Sequence, residues 1–316
     1  MIKHIILILL FNYIYIYSLD QNNSDSLGNR FDFNSDSLLK SNLNYSKLYN
    51  FEIYNCDSLT KSNDYDITNL TIIGGMFAVA GISIHQYIKN TAWKNVNNKF
   101  ISNFGASKCI EISNLGYFFS TNLTSHFFTA GFENTKMNYE SAVVYGSLLS
   151  VIYAGYFELM NGFYTQNGFS NKNILSSLLG SCFAMGQYYF PYLKNFQPKI
   201  SYYPSSNYKN ISSTNFVNDY AGQKYWLGLR IKEIMPESVS KYWPSILMLS
   251  IGVAPNKNIG KSNEITSGYI SFDIDAEQIP LYGKFWQFIK NTFTYFHFPL
   301  PGIKFTNKTI IYGFCY

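Results

Sequence analysis

Between Glu140 and Gly162 the chain carries almost no charge, and Ala142, Gly146, Ser150 and Ala154 recur every fourth residue until the next step lands on Glu158. On a helix this spacing draws one stripe of small side chains that ends in a carboxylate. Such a stripe lets helix backbones approach closely, and an acid on it must be met by hydrogen-bond partners or lose its charge. A second small-residue stripe follows in Ser177 and Ser181, with Gly180 and Ala184 one step across. The two stripes predict that helical stretches over about 137–161 and 171–195 pack against each other, with Glu158 at the junction. Asn161 lies one turn beyond Glu158, and Asn173 and Ser177 lie one turn apart on the next stretch, so these polar groups form an expected inter-helix cluster. Its simpler reading is a set of buried hydrogen bonds that fixes helix register. The rival reading is a small polar pocket that takes a headgroup or a proton.

Two further helical stretches precede these, at about 72–88 and 115–132. Gly162 is placed to stop the third, Ser170 to cap the fourth, and Pro191 to end the fourth near Tyr189. After Pro198 the pattern changes to short β-branched and aromatic runs at 200–203, 225–231, 246–254, 269–275 and 309–314. Amphipathic helices are expected at 234–243 and 281–296, the second ended by Pro299 and Pro301. The fold class is therefore α+β: a helical bundle over 67–198, then a region of short strands and amphipathic helices over 199–316. Asp273 and Asp275 fall at alternate positions of one strand, which reads as a solvated face.

Charged residues make up 14% of the chain and aromatics 19%, with 28 Tyr and 27 Phe. Soluble domains average about 25% charge, so the balance points to contact with lipid or another apolar surface. A compositional bias toward Asn, Lys, Ile, Tyr and Phe, with Arg30 and Arg230 as the two arginines, accounts for part of it. The net charge of +5 is spread over scattered lysines without a basic cluster, so no nucleic-acid partner is expected. Lys3, the apolar run to Tyr17 and Ser18 read as a signal peptide or signal anchor over 1–18, followed by a polar leader over 19–66. Cys56, Cys109, Cys182 and Cys315 form no C-x-x-C pair, and the four histidines show no ligand spacing, so no metal or cofactor is expected. Cys182 reads as core packing.

The order of several segments resembles the YfiM-like family of predicted periplasmic lipoproteins. The segments are Ser113-Asn114-Leu115-Gly116-Tyr117, then Glu158-Leu159-Met160-Asn161-Gly162-Phe163, then Gly168-Phe169-Ser170 with Asn173 and Ser177. Their polar spacing is similar to that of VanZ-like membrane proteins. The resemblance implies that Asn114 and Tyr117 join the cluster around Glu158. Where those families carry Asp, Lys and His, this chain has Ser113, Asn114 and Tyr117, and later Asp positions hold Asn161 and Asn173, so Glu158 alone keeps its charge. Asn and Tyr cannot stand in for Asp or His in acid–base or metal chemistry. The resulting expectation is an exported bacterial cell-envelope protein, non-enzymatic, whose partner is membrane lipid or a membrane protein. The alternative is a VanZ-like enzyme or resistance factor acting on amphiphilic or lipid-linked substrates through Glu158. A third reading makes the C-terminal strands part of an outer-membrane β-structure, which requires closed strand pairing.

Overall fold

The computed structural model describes residues 66–91, 93, 99–103, 111–164, 168–205, 219–255, 265–306 and 309–315. The signal segment, the leader up to residue 65, Cys56 and Cys109 lie outside the described residues. The fold is α+β, with helices leading and an antiparallel sheet following. Helix α1 spans Ile67–Thr91, α2 Ile112–Glu133, α3 Tyr139–Tyr164 and α4 Asn171–Tyr189. Asp66, assigned by sequence to the leader, instead opens α1, where its carboxylate accepts from the Asn69 N–H at 3.1 Å. Helix α3 runs past Gly162, which is not a stop. It is glycine because a Cβ there would sit 2.1 Å from the Phe100 ring. Helix α4 ends before Pro191, as the missing N–H and the ring clash require.

The small stripes of α3 and α4 meet each other, with Ser181 Oγ donating to the Ser147 carbonyl at 2.7 Å, and both also meet α2. A Cβ on Gly146 would lie 2.7 Å from the Thr129 backbone nitrogen, and one on Gly180 would lie 2.1 Å from the Phe118 carbonyl oxygen. Ser150 on α3 shares a 2.7 Å hydrogen bond with Ser125 on α2, and Asn122 on α2 donates to the Gly180 carbonyl of α4 at 3.2 Å. A small stripe says how near a neighbour can come, not which neighbour comes. Here α2 supplies the matching face of buried Thr121, Asn122, Ser125 and Thr129. Ala142 is fully buried, whereas Ala154 and Ala184 are only half-buried at the margins of these contacts. Cys182, expected in the core, is exposed. The backbone contact makes Gly180→Ala a sensitive test. It should lower stability by about 1–3 kcal/mol, because α4 must move off α2. Gly75→Ala, with no atom within 4 Å of the new Cβ, should be neutral or slightly stabilising. Paired unfolding curves measure both.

Strands β1 (Ser102–Asn103) and β2 (Phe169–Ser170) form a short parallel pair. The main sheet is a six-stranded antiparallel meander in sequence order: β3 Phe196–Tyr202, β4 Gln223–Leu229, β5 Leu247–Pro255, β6 Ile265–Ile274, β7 Leu300–Phe305 and β8 Ile310–Cys315. Strand β7 has no counterpart in the sequence reading, because its prolines look like helix terminators. Pro301 sits at a register shift between Leu300 and Gly302, where a missing ladder N–H does least harm. Helix α5 (Lys284–Phe293) is shorter than its apolar pattern suggests. The helix expected at 234–243 is two single turns, Ile231–Ile234 and Glu237–Ser240, divided at Pro236.

Side chains alternate cleanly in the two longest strands. Met248, Ser250, Gly252 and Ala254 of β5 and Ser267, Tyr269, Ser271 and Asp273 of β6 are buried on one face. Leu247, Leu249, Ile251 and Val253, with Ile270, Phe272 and Ile274, take the other, more open face. The buried face is mixed, since Trp226, Ala254, Tyr269 and Cys315 form an apolar cluster beside its polar groups, whereas the open face is apolar, unlike that of a water-facing sheet. At β3 and β4 the apolar face is covered by α2: Ile112 and Phe119 pack with Ile200, Tyr225 and Tyr295 in one cluster. The helical and strand-rich regions therefore share a core.

Candidate functional site

Glu158 is fully buried where α2, α3 and the start of α4 converge. Its Oε1 accepts from the Ser170 backbone N–H at 2.7 Å and from Asn173 Nδ2 at 3.0 Å, and its Oε2 accepts from Asn161 Nδ2 at 3.1 Å. The Tyr117 hydroxyl accepts from Asn161 Nδ2 at 2.8 Å. Asn114 Nδ2 donates to Asn173 Oδ1 at 2.9 Å, which turns the Asn173 amide so that its NH2 faces the carboxylate. The indole N–H of Trp93 donates to Asn161 Oδ1 at 2.8 Å and does the same for Asn161. Burial and then the neighbouring Glu158 push the Tyr117 phenol well above its usual value, so it stays neutral. Tyr220 is pushed up by burial, by Glu158 and by Glu111.

Local folding explains how these groups arrive. Asn161 follows Glu158 by one turn of α3, so both point to the same side. Gly168 takes φ +67, a conformation that favours glycine, and turns the chain back so that Phe169 N–H meets the Ile101 carbonyl at 2.8 Å. This places the Ser170 N–H, just before α4, on the carboxylate. Ser170 is the N-cap residue of α4, but it makes no side-chain cap. Its backbone N–H carries the contact with Glu158 instead, a favourable place for negative charge at a helix N-terminus. Glu111 and Asn114 form a reciprocal cap at the start of α2, which fixes Asn114.

The structure thus brings Glu158, Asn161, Asn173, Asn114 and Tyr117 into one hydrogen-bonded group. Ser177 is buried one turn further along α4, and its hydroxyl has no hydrogen-bond partner among the described residues. Sequence reasoning missed Trp93. A carboxylate offers about four lone-pair sites, and three neutral donors, the Ser170 N–H and the amides of Asn161 and Asn173, occupy most of them here. No Lys, Arg or His lies within ion-pair distance of Glu158 among the described residues. A general acid or base needs a face open to substrate or to a proton path. The observed surroundings instead suit a carboxylate that holds three helices in register.

A second polar group is buried in the sheet. Asp273, read from sequence as solvated, is fully buried. Its Oδ2 meets Lys199 Nζ at 3.0 Å, His297 Nδ1 at 2.8 Å and Ser250 Oγ at 2.8 Å, and its Oδ1 accepts from the Phe298 N–H at 3.1 Å. Lys199 also donates to the Ile274 carbonyl at 2.9 Å, and His297 Nε2 lies 3.2 Å from the Cys315 carbonyl. Trp226 stacks on the His297 ring with centroids 3.8 Å apart. Asp275 is equally buried and pairs with Arg230 at 2.7 Å. The alternation of Asp273 and Asp275 was legible, but its face was reversed: both lie inside, where polar groups are buried beside the Trp226, Ala254, Tyr269 and Cys315 cluster. Among the described residues no group of His, Cys, Asp and Glu is arranged to hold a metal ion.

No family model matches the chain, and no curated protein and no solved structure matches it.

Proposed function

We propose that this chain is a non-enzymatic protein of the bacterial cell envelope whose helical half sits against membrane lipid or a membrane-protein partner. The Glu158 group serves as its internal register lock. The observation that carries this reading is the outward face of the helices. Helices α1 and α3 are long and apolar enough to cross a membrane, with mean hydropathies of 1.8 and 1.4, and only 6% and 28% of their most apolar stretches are buried. Val79 and Ile82 on α1, and Leu148, Ile152 and Leu159 on α3, are exposed. A core helix of a soluble protein would bury these residues. The same α3 turns its small and polar residues inward, the arrangement by which helices pack where lipid is the solvent. The full burial of Glu158 among three neutral donors weighs against the VanZ-like enzymatic alternative.

Extraction tests the proposal. Membranes from cells expressing the full chain are washed with alkaline carbonate and then with detergent. Retention through carbonate and release by detergent supports the proposal. A chain that is soluble and monomeric without detergent overturns it.

A further inference from the structure

We propose that the outer face of β5–β8 is itself seated in lipid hydrocarbon, so that the sheet is a second membrane-contacting surface rather than a water-exposed domain. This rests on the membrane reading above but concerns a different surface.

On β5 and β6 the open row is apolar, while the buried row mixes polar groups with apolar ones. Every inward position of β5 and β6 from Met248 to Ala254 and from Ser267 to Asp273 is buried, including Asp273, Ser250 and Ser271, and these are hydrogen-bonded inside. The outward positions are apolar and open: Ile251 is 48% exposed, Ile270 37% and Phe272 40%. Strand β8 adds Ile311 and Phe314, both exposed. In water this arrangement is unfavourable twice over, since it buries charge and exposes hydrocarbon. Against hydrocarbon both placements become the favourable ones.

The same apolar face is already covered at β3 and β4 by α2, so an apolar neighbour is what this face accepts. Strands β5 and β6 have 9 and 10 residues, matching the roughly 9–11 with which a tilted strand crosses hydrocarbon, whereas β7 and β8, with 6 each, reach only part of that depth.

The pairings of Leu247 with Ile274 and of Ser271 with Gly302 bring the segments 230–246 and 275–299 to the same end of the sheet. Exposed aromatics gather there: Tyr242 at 81%, Tyr282 at 79%, and Trp286 and Phe293 on α5. Tyr and Trp are the side chains that settle at headgroup level beside an apolar band. At the β3 edge the Ile200 N–H donates to the Tyr295 carbonyl at 2.9 Å and the His297 N–H to the Ile200 carbonyl at 3.0 Å. The opposite edge, β8, has no strand beyond it among the described residues, so the face meets lipid only if protein covers that edge.

The test uses the full chain in vesicles of phosphatidylethanolamine and phosphatidylglycerol, with the native cysteines replaced by alanine. Single nitroxide labels are attached at Ile251→Cys, Ile270→Cys and Phe272→Cys on the sheet, Tyr242→Cys at its end and Ile82→Cys on α1. Collision of each label with oxygen and with a polar nickel chelate is read by spin resonance. The expected result is an oxygen-to-nickel ratio several-fold higher at the three sheet sites than at residue 242, and comparable to residue 82. Lipid-like values at residue 82 with water-like values on the sheet overturn this inference and leave the membrane reading standing. Water-like values at all five sites overturn both. Sheet labels shielded from oxygen and nickel alike mean that protein, not lipid, covers the face, and also overturn the inference.

Discussion

Glu158→Leu should destabilise the protein by about 4 kcal/mol, the range found when one partner of a buried polar assembly is removed and the others stay behind. The leucine fits the space of the acid, so the loss comes from stranded donors rather than from a cavity. The Ser170 N–H and the amides of Asn161 and Asn173 all lose their acceptor. Glu158→Gln keeps one acceptor oxygen for Ser170 and Asn173 but sets its own NH2 against that of Asn161, so a smaller loss, about 1–2 kcal/mol, is expected. Denaturant unfolding of detergent-solubilised protein, followed by near-ultraviolet circular dichroism, ranks parent, Gln and Leu in that order. If both variants unfold within experimental error of the parent, Glu158 does not hold the helices together.

Asp273→Leu should be comparably severe, about 3–5 kcal/mol, because Lys199 is left as a buried ammonium without a counter-charge and His297 loses its carboxylate. The compensating experiment is more informative than the single variant. Lys199→Met removes the stranded cation with little change in volume, so Lys199→Met with Asp273→Leu should recover part of the loss. The coupling between the two positions should be well above the few tenths of a kcal/mol typical of independent sites. Strict additivity would show that the ion pair is not an energetic unit.

These two groups differ in how far the sequence discloses them. The Glu158 group is half local: Glu158 and Asn161 are three residues apart on one helix, and Asn173 follows after a single loop. Helical periodicity can place such residues on one side, and here it did. It placed the two small stripes against each other, as the Ser181–Ser147 contact bears out, but did not reveal α2 as the further neighbour of both. Gly146 and Gly180 both report a close approach, and only the contact with Thr129 and Phe118 shows that α2 is the common partner. The Asp273 group is assembled by long-range pairing. Asp273 and His297 are 24 residues apart, and Lys199 comes from the first strand of the sheet. Alternation in a strand gives two faces but does not say which is inside. The usual assumption, polar outward, placed Asp273 in water. Strand β7 escaped notice for a related reason: two prolines mask a strand whose bulge tolerates one of them.

The central claim is that the apolar faces of α1 and α3 meet hydrocarbon while their small and polar faces meet protein. Photolabelling tests it most directly. The full chain in vesicles carrying a diazirine-tailed phospholipid is irradiated, digested and mapped by mass spectrometry. Adducts should fall on Val79, Ile82, Leu148, Ile152 and Leu159 and spare Ser150, Glu158 and Gly180. Absence of adducts from the first set, or labelling of both sets alike, would contradict the claim.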